Sequence, residues 1–276
     1  MRWDRNYTSS EIEDHRSEGG AGIDLGGGGM GGGGLFLLIR ALSIFGWKGI
    51  LVGLVIAGAV AMGGQCTNAV SHVSSHQPAD NWHSTPEEDE LVHFVGFVFD
   101  DVQRTWRAQI PGYADSTLVL FRRAYRSACG TASTAVGPFY CPNDRKVYLD
   151  LSFFSELANK LGAPGQFAEA YVIGHELGHH VQKLTGILGG SSSVAIELQA
   201  DCLAGAWAQD ANKRGLLERG DVDQALNAAS QIGDDTLQRK AQGYVQPETF
   251  THGTSAQRKA SFEKGYDGGR QACGIR

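Results

Sequence analysis

Tyr171-Val172-Ile173-Gly174-His175-Glu176-Leu177-Gly178-His179-His180-Val181-Gln182 is the stretch on which the reading of this chain turns. On a helix, residues four apart lie one turn above each other on the same face. His175 and His179 then offer imidazole nitrogens to one metal ion, and Glu176 points along the rim toward an open coordination position. This H-E-x-x-H arrangement is that of a zinc hydrolase with a glutamate general base. Two histidines do not complete a catalytic zinc site, which wants three protein ligands and a water.

The next helical run supplies what is missing. Glu197-Leu-Gln-Ala-Asp201 lies after a short turn, at a distance from which an antiparallel helix brings the Glu197 carboxylate back to the metal. Asp201, one turn further on the same face, is placed to accept the free ring N–H of a ligand histidine, fixing its tautomer and raising its basicity. The flanking Ala195, Ile196, Leu198, Ala200, Leu203 and Ala204 make a solvated helix face a poor account of these carboxylates. His180 points about a hundred degrees away from His179, so it is expected to pack or to make an outer contact.

Outward from these helices the pattern predicts an α+β domain, mostly helical with a small sheet. Glu87 to Glu90 crowd the start of an apolar-periodic run, predicting a helix to about Gln109 with acidic residues at its positive end. His93 within it reads as a packed residue. Leu118–Phe121 and Lys146–Asp150 read as strands, and Val147–Asp150 is expected either to be a plain edge strand or to pair with an extended peptide. Helices are expected over Leu151–Leu161, Gln166–Thr185, Val194–Lys213 and Ser255–Gly268. Another begins at Asp221 with a capping-box-like Gln224 and runs through Ile232.

Upstream, composition changes abruptly. Residues 1–34 carry scattered charges and then a glycine run from Gly26 to Gly34, so a disordered tail is expected. Residues 35–64 turn to Leu, Ile, Val, Ala and Gly, interrupted only by Arg40 and Lys48, and predict a single transmembrane anchor. A cleaved signal peptide is disfavoured by the length of what precedes it. Residues 65–86 read as a linker, His72 and His76 included, leaving 87–276 as the soluble domain. The positive-inside rule places the tail in the cytoplasm and the domain on the periplasmic or extracellular side. A disulfide between Cys129 and Cys141, and a second between Cys202 and Cys273, would agree with an oxidising compartment. The formal net charge of −6 and the lack of a Lys/Arg stripe exclude nucleic acid as an expected partner.

H-E-x-x-H followed by Glu-x-x-x-Asp resembles the gluzincin metallopeptidases. The phrases Phe139-Tyr-Cys-Pro-Asn-Asp, Val147-Tyr-Leu-Asp-Leu-Ser-Phe-Phe, Glu197-Leu-Gln-Ala-Asp-Cys-Leu-Ala-Gly and Thr251-His-Gly-Thr-Ser resemble more closely the neutral zinc metallopeptidase family of bacterial single-pass membrane proteins. The resemblance implies a zincin-like fold and one Zn²⁺ held by His175, His179 and Glu197. It also implies hydrolysis of a peptide or protein substrate with Glu176 as base. His252, at a turn before the last helix, is the candidate oxyanion donor, with Tyr244 and Tyr266 as competitors. The rival reading is a membrane-anchored, zinc-binding scaffold without proteolysis; Glu176 speaks against it, because a structural site has no use for a base.

Overall fold

The computed structural model describes residues 1–18, 83–188 and 193–275, which belong to one compact unit. The expected anchor at 35–64 and all but the end of the linker at 65–86 lie outside the described residues. Among the described residues no helix is long and apolar enough to cross a membrane.

The long helix α1 (Pro86–Gln109) starts as the sequence predicts: the Thr85 hydroxyl accepts the Glu88 N–H at 3.2 Å, and acidic residues fill the first turn. Its apolar stripe, Phe94, Val95, Val98, Phe99, Val102 and Trp106, is buried almost completely. Two short helices, α2 (Ser152–Asn159) and α6 (Asp234–Gln242), flank a bundle of α3 (Gln166–Leu184), α4 (Ser193–Lys213), α5 (Asp221–Gln231) and α7 (Ser255–Ala272). Helices α4 and α7 meet backbone to backbone: a Cβ on Gly265 would lie 1.8 Å from the Cys202 carbonyl oxygen. The Cys202–Cys273 disulfide closes the same pair, and Cys129–Cys141 closes the loop ahead of the site, both as the sequence reading expected. The α5 start differs from expectation. Gly220, in a left-handed conformation, precedes it, and Gln224 instead accepts the Phe167 N–H at 3.0 Å.

The sheet runs β1 (Ile12–Asp14), β2 (Thr117–Phe121), β6 (Lys146–Asp150), β5 (Phe139–Cys141), with β3 (Ala124–Ser127) and β4 (Gly130–Ser133) as a separate antiparallel hairpin. Strand β6 is thus interior, parallel to β2 and antiparallel to β5. The expectation that Val147–Asp150 is an edge strand or takes up a peptide is corrected: both of its edges are paired, and the outer strand is β5.

Strand β1 corrects a larger expectation. Residues 1–18 are folded, with Ile12, Glu13 and Asp14 in parallel register against Leu118, Val119 and Leu120. Few apolar residues are needed, because the strand completes the existing edge of β2 while a handful of side chains anchor it. Met1 is buried; the Trp3 ring meets Phe94 edge-on at 5.3 Å and Tyr7 meets Phe97 at 5.4 Å. The Met1 amino group pairs with Asp221 at 3.0 Å, and His93 contacts the Tyr7 carbonyl at 2.6 Å. Arg16, also buried, pairs with Asp14 at 2.7 Å and Glu88 at 3.2 Å. Residues 1–18 thereby share one sheet with Thr117–Phe121 of the domain.

Candidate metal centre

Helix α3 carries the motif because α4 can come close enough to answer it. Gly178 faces α4, where a Cβ would stand 3.0 Å from the Ala200 carbonyl oxygen, so the glycine inside the motif permits the approach. The side chains of α4 at 197 and 201 then reach back across the gap. His175 Nε2 lies 3.1 Å from Glu197 Oε2, and His179 Nε2 lies 3.5 Å from Glu197 Oε1. One ligand atom from each of His175, His179 and Glu197 falls within 4.8 Å of the others, and this is the metal-competent cluster among the described residues.

The far sides of both rings are occupied, which fixes the tautomer each would use as a ligand. His175 Nδ1–H donates to Asp201 Oδ1 at 2.8 Å, the role expected for Asp201. His179 Nδ1–H donates to Gln182 Oε1 at 2.8 Å, and Gln182 is itself held by the Ile196 carbonyl at 2.7 Å. Both Nε2 atoms are thereby turned toward Glu197. Two imidazole nitrogens and a carboxylate suit zinc, and the supporting bonds are those a zinc site needs.

Asp201 is fully buried and would be costly there as a lone anion. Arg258, from α7, neutralises it with Nε at 2.8 Å and Nη2 at 2.9 Å, a two-pronged pairing, and reaches the Tyr171 hydroxyl at 3.1 Å. The Tyr171 hydroxyl also donates to Asp201. Burial would raise the Asp201 carboxyl, but Arg258 and then His175 hold it below its usual range. Burial would lower His175, and Asp201 above all overcomes this and raises it. Glu197 is held well below the carboxylate range by the two histidines, against its own burial. Glu176 goes the other way: burial raises it, opposed by the charges of His175 and His179.

A cleft of about 460 Å³ opens over these residues. Glu176 lines it beside His175, His179 and Glu197. One wall is Pro138 with Phe139 and Tyr140 of β5, and Phe153, Leu161, Val172, Ile232 and Leu237 make an apolar recess. His252 lines the cleft too. The Asp234 carboxylate pins its loop by accepting the N–H groups of Thr251, His252 and Gly253 at 2.7, 2.7 and 3.0 Å, and lies 3.2 Å from His252 Nδ1. Tyr244, largely exposed, and Tyr266, stacked on Phe262, do not line the cleft. His180 is buried away from the ligand cluster, bonded to Tyr140 and Ala114, which agrees with an outer contact. Sequence reasoning missed Arg258, Tyr171, Tyr140 and Asp234. Of these only Tyr171, one turn before His175, carried a spacing signal.

The profile of the family described as "Putative neutral zinc metallopeptidase" matches residues 1–274. The uncharacterized protein YpfJ of Escherichia coli K12 is 41% identical over 295 residues, covering 99% of this chain and 97% of that one. The uncharacterized protein Rv2575 of Mycobacterium tuberculosis H37Rv is 42% identical over 190 residues, covering 62% of this chain and 65% of its own length. No solved structure matches the chain significantly. The match runs through the ligand helix, the carboxylate helix and the folded N-terminal segment alike, and on it the chain belongs to the neutral zinc metallopeptidase family.

Proposed function

We propose that the chain is a zinc-dependent endopeptidase in which His175, His179 and Glu197 hold one Zn²⁺ and Glu176 is the general base. The observation that carries this reading is the placement of Glu176, buried and free of the ligand cluster, in an open cleft beside a sheet edge. A purely structural zinc site would have no use for that group. Zinc bound there would polarise a water molecule and bring its pKa down toward neutrality. The remaining chemistry belongs to the chain. Glu176 takes the water's proton and passes it to the leaving amine; a carboxyl raised by burial is better matched to proton exchange near neutral pH than an ordinary one. With the Thr251 hydroxyl donating to His252 Nδ1 at 2.9 Å, the His252 ring offers Nε2–H to the oxygen that gains charge at the scissile carbonyl. The outer strand β5 offers main-chain groups to an extended peptide, and the recess of Phe153, Leu161, Val172 and Ile232 favours an apolar side chain next to the cleaved bond.

The two disulfides support an oxidising, periplasmic or extracellular compartment for the domain. Residues 1–18 accompany it there, and association with the membrane through residues 35–64 is retained as part of this proposal.

Zinc analysis of the full chain together with digestion of an unfolded protein such as casein tests the reading. Glu176→Gln is expected to keep its zinc and lose activity by about 10²–10⁴-fold. Normal turnover by that variant would end the assignment of the base, and new amino termini produced by no form of the protein would end the peptidase reading.

A further inference from the structure

The two ligand histidines are braced on their far sides by different chemistry. Asp201, behind His175, is a carboxylate and can only accept. Gln182, behind His179, is an amide, which accepts at one end and donates at the other, so it serves His179 in only one of its two orientations. The choice matters because Glu197 stands on the opposite side of the same ring, with Oε1 3.5 Å from Nε2. A proton drawn there would occupy the nitrogen that the metal needs.

Something must therefore hold the Gln182 amide the right way round, and main-chain carbonyls do so. Gln182 is fully buried, and its Nε2 donates to the Ile196 carbonyl at 2.7 Å and to Gln199 Oε1 at 3.0 Å. Gln199 is an amide too, and faces the same ambiguity. Its Nε2 donates at 2.9 Å to the carbonyl of Cys273, at the end of α7, where the bridge to Cys202 secures the chain. A carbonyl cannot donate, so Cys273 fixes Gln199 with its oxygen toward Gln182. Gln199 and Ile196 then use both hydrogens of Gln182 Nε2, and Gln182 Oε1 is left for His179 Nδ1–H. Turning Gln182 over would set its oxygen against two other oxygens; without Gln199 it would meet one.

We propose that Gln199 is a positioning residue: it relays the direction of the Cys273 carbonyl to Gln182, and so keeps the His179 proton on Nδ1 and Nε2 bare for the metal. The effect on metal binding rests on the zinc reading of the site, whereas the order of the hydrogen bonds does not.

Three substitutions in the full chain test it. Gln182→Met removes the acceptor for His179. Gln199→Met removes the relay and leaves Gln182 on the Ile196 carbonyl alone. Gln199→Glu gives up the bond to Cys273 but needs no orienting, since both its oxygens accept from Gln182. Long-range proton–nitrogen spectra of ring-labelled histidine show which nitrogen carries the proton, in metal-free protein at about pH 9 where an ordinary imidazole is neutral. Wild type and Gln199→Glu are expected to show His179 Nδ1–H, Gln182→Met mainly Nε2–H, and Gln199→Met a mixture of the two. Zinc affinity, measured against a chromogenic chelator, should fall about 10–100-fold in Gln182→Met and about fivefold in Gln199→Met. It should stay within about twofold of wild type in Gln199→Glu. A His179 proton that stays wholly on Nδ1 in Gln199→Met overturns the relay. A mixed tautomer with undiminished zinc affinity overturns its bearing on the metal. A space-filling role for Gln199 predicts the reverse order, with Gln199→Met close to wild type and the charged Gln199→Glu the more damaging. If the wild-type protein binds no zinc, the spectra still decide the relay, and only the metal reading falls. Should Gln182→Met fail to fold, the two Gln199 variants carry the test.

Discussion

The ligand helices α3 and α4 and the N-terminal residues 1–18 are fastened to the same domain by opposite means. Between α3 and α4 the fastening is side chain to side chain: His175 to Asp201, Asp201 to Arg258, His179 to Gln182, with both histidines facing Glu197. At the N-terminus the fastening is a three-residue backbone ladder, helped by Trp3, Tyr7 and a buried Arg16. The first kind leaves a trace in the sequence because residue identity at fixed spacing is what makes it work. The second leaves almost none, since every residue has a backbone and the partner strand lies far along the chain.

The comparison breaks most decisively on topology. Cysteine placed at exposed Asn6 is expected to react with a membrane-impermeant maleimide in intact cells to the same extent as cysteine placed at exposed Lys213. Labelling of only one of the two would separate the segment from the domain it pairs with here. Next in size is Asp201→Asn. It leaves Arg258 buried without its anion and His175 without its orienting carboxylate, so zinc affinity should fall about 10–100-fold and stability by about 3 kcal/mol. Competition with a chromogenic chelator and denaturant unfolding measure the two separately, and unaltered affinity would remove Asp201 from the support of the metal. Trp3→Ala should cost about 2 kcal/mol, since Trp3 is only half-buried against Phe94 and Phe97. A change too small to detect in urea melts would mean that the ladder alone holds the segment.

The smallest effect belongs to a group at the start of α3, before the metal ligands. Burial raises Glu169, on α3, from 4.5 to about 7. An acid with a raised folded value subtracts stability as pH climbs from its unfolded value through the folded one, and subtracts it fully above. Glu169→Gln should therefore stabilise the protein by about 1–2 kcal/mol at pH 8, allowing for partial solvent screening, and by nothing below about pH 4. A gain that does not grow with pH would show that the carboxylate is not buried at a cost.

The same contrast explains what could be read in advance. The boundaries of α1, α3 and α4 follow from periodic apolar faces and capping chemistry, and the ligand set follows from two i, i+4 pairs. Helix α6 was not legible because Asp234 is its single buried residue, leaving no apolar stripe to find. Arg258 was not legible because its partner Asp201 is 57 residues away, with no spacing rule to connect them. Strand β6 was found but misplaced in the sheet, since neither alternation nor composition reports how many neighbours a strand has. The β3–β4 hairpin and β5 sit in the Gly/Pro/Cys-bearing stretch from Cys129 to Pro142 and its approach, where a strand of three or four residues has too short a pattern to stand out.

Strand β1 also decides what the rest of the sheet presents to other molecules. Beneath it lies Thr117-Leu-Val-Leu-Phe121, five residues with no charge and high β-propensity. Such an edge left bare is a template for pairing with a neighbouring chain. Capped by β1, the same edge is closed off by a strand bearing Glu13 and Asp14, with Lys146 and Arg16 bonded alongside. The N-terminal segment thus works as a guard against aggregation: cut away or held apart from β2, it would leave the domain with an exposed adhesive strand.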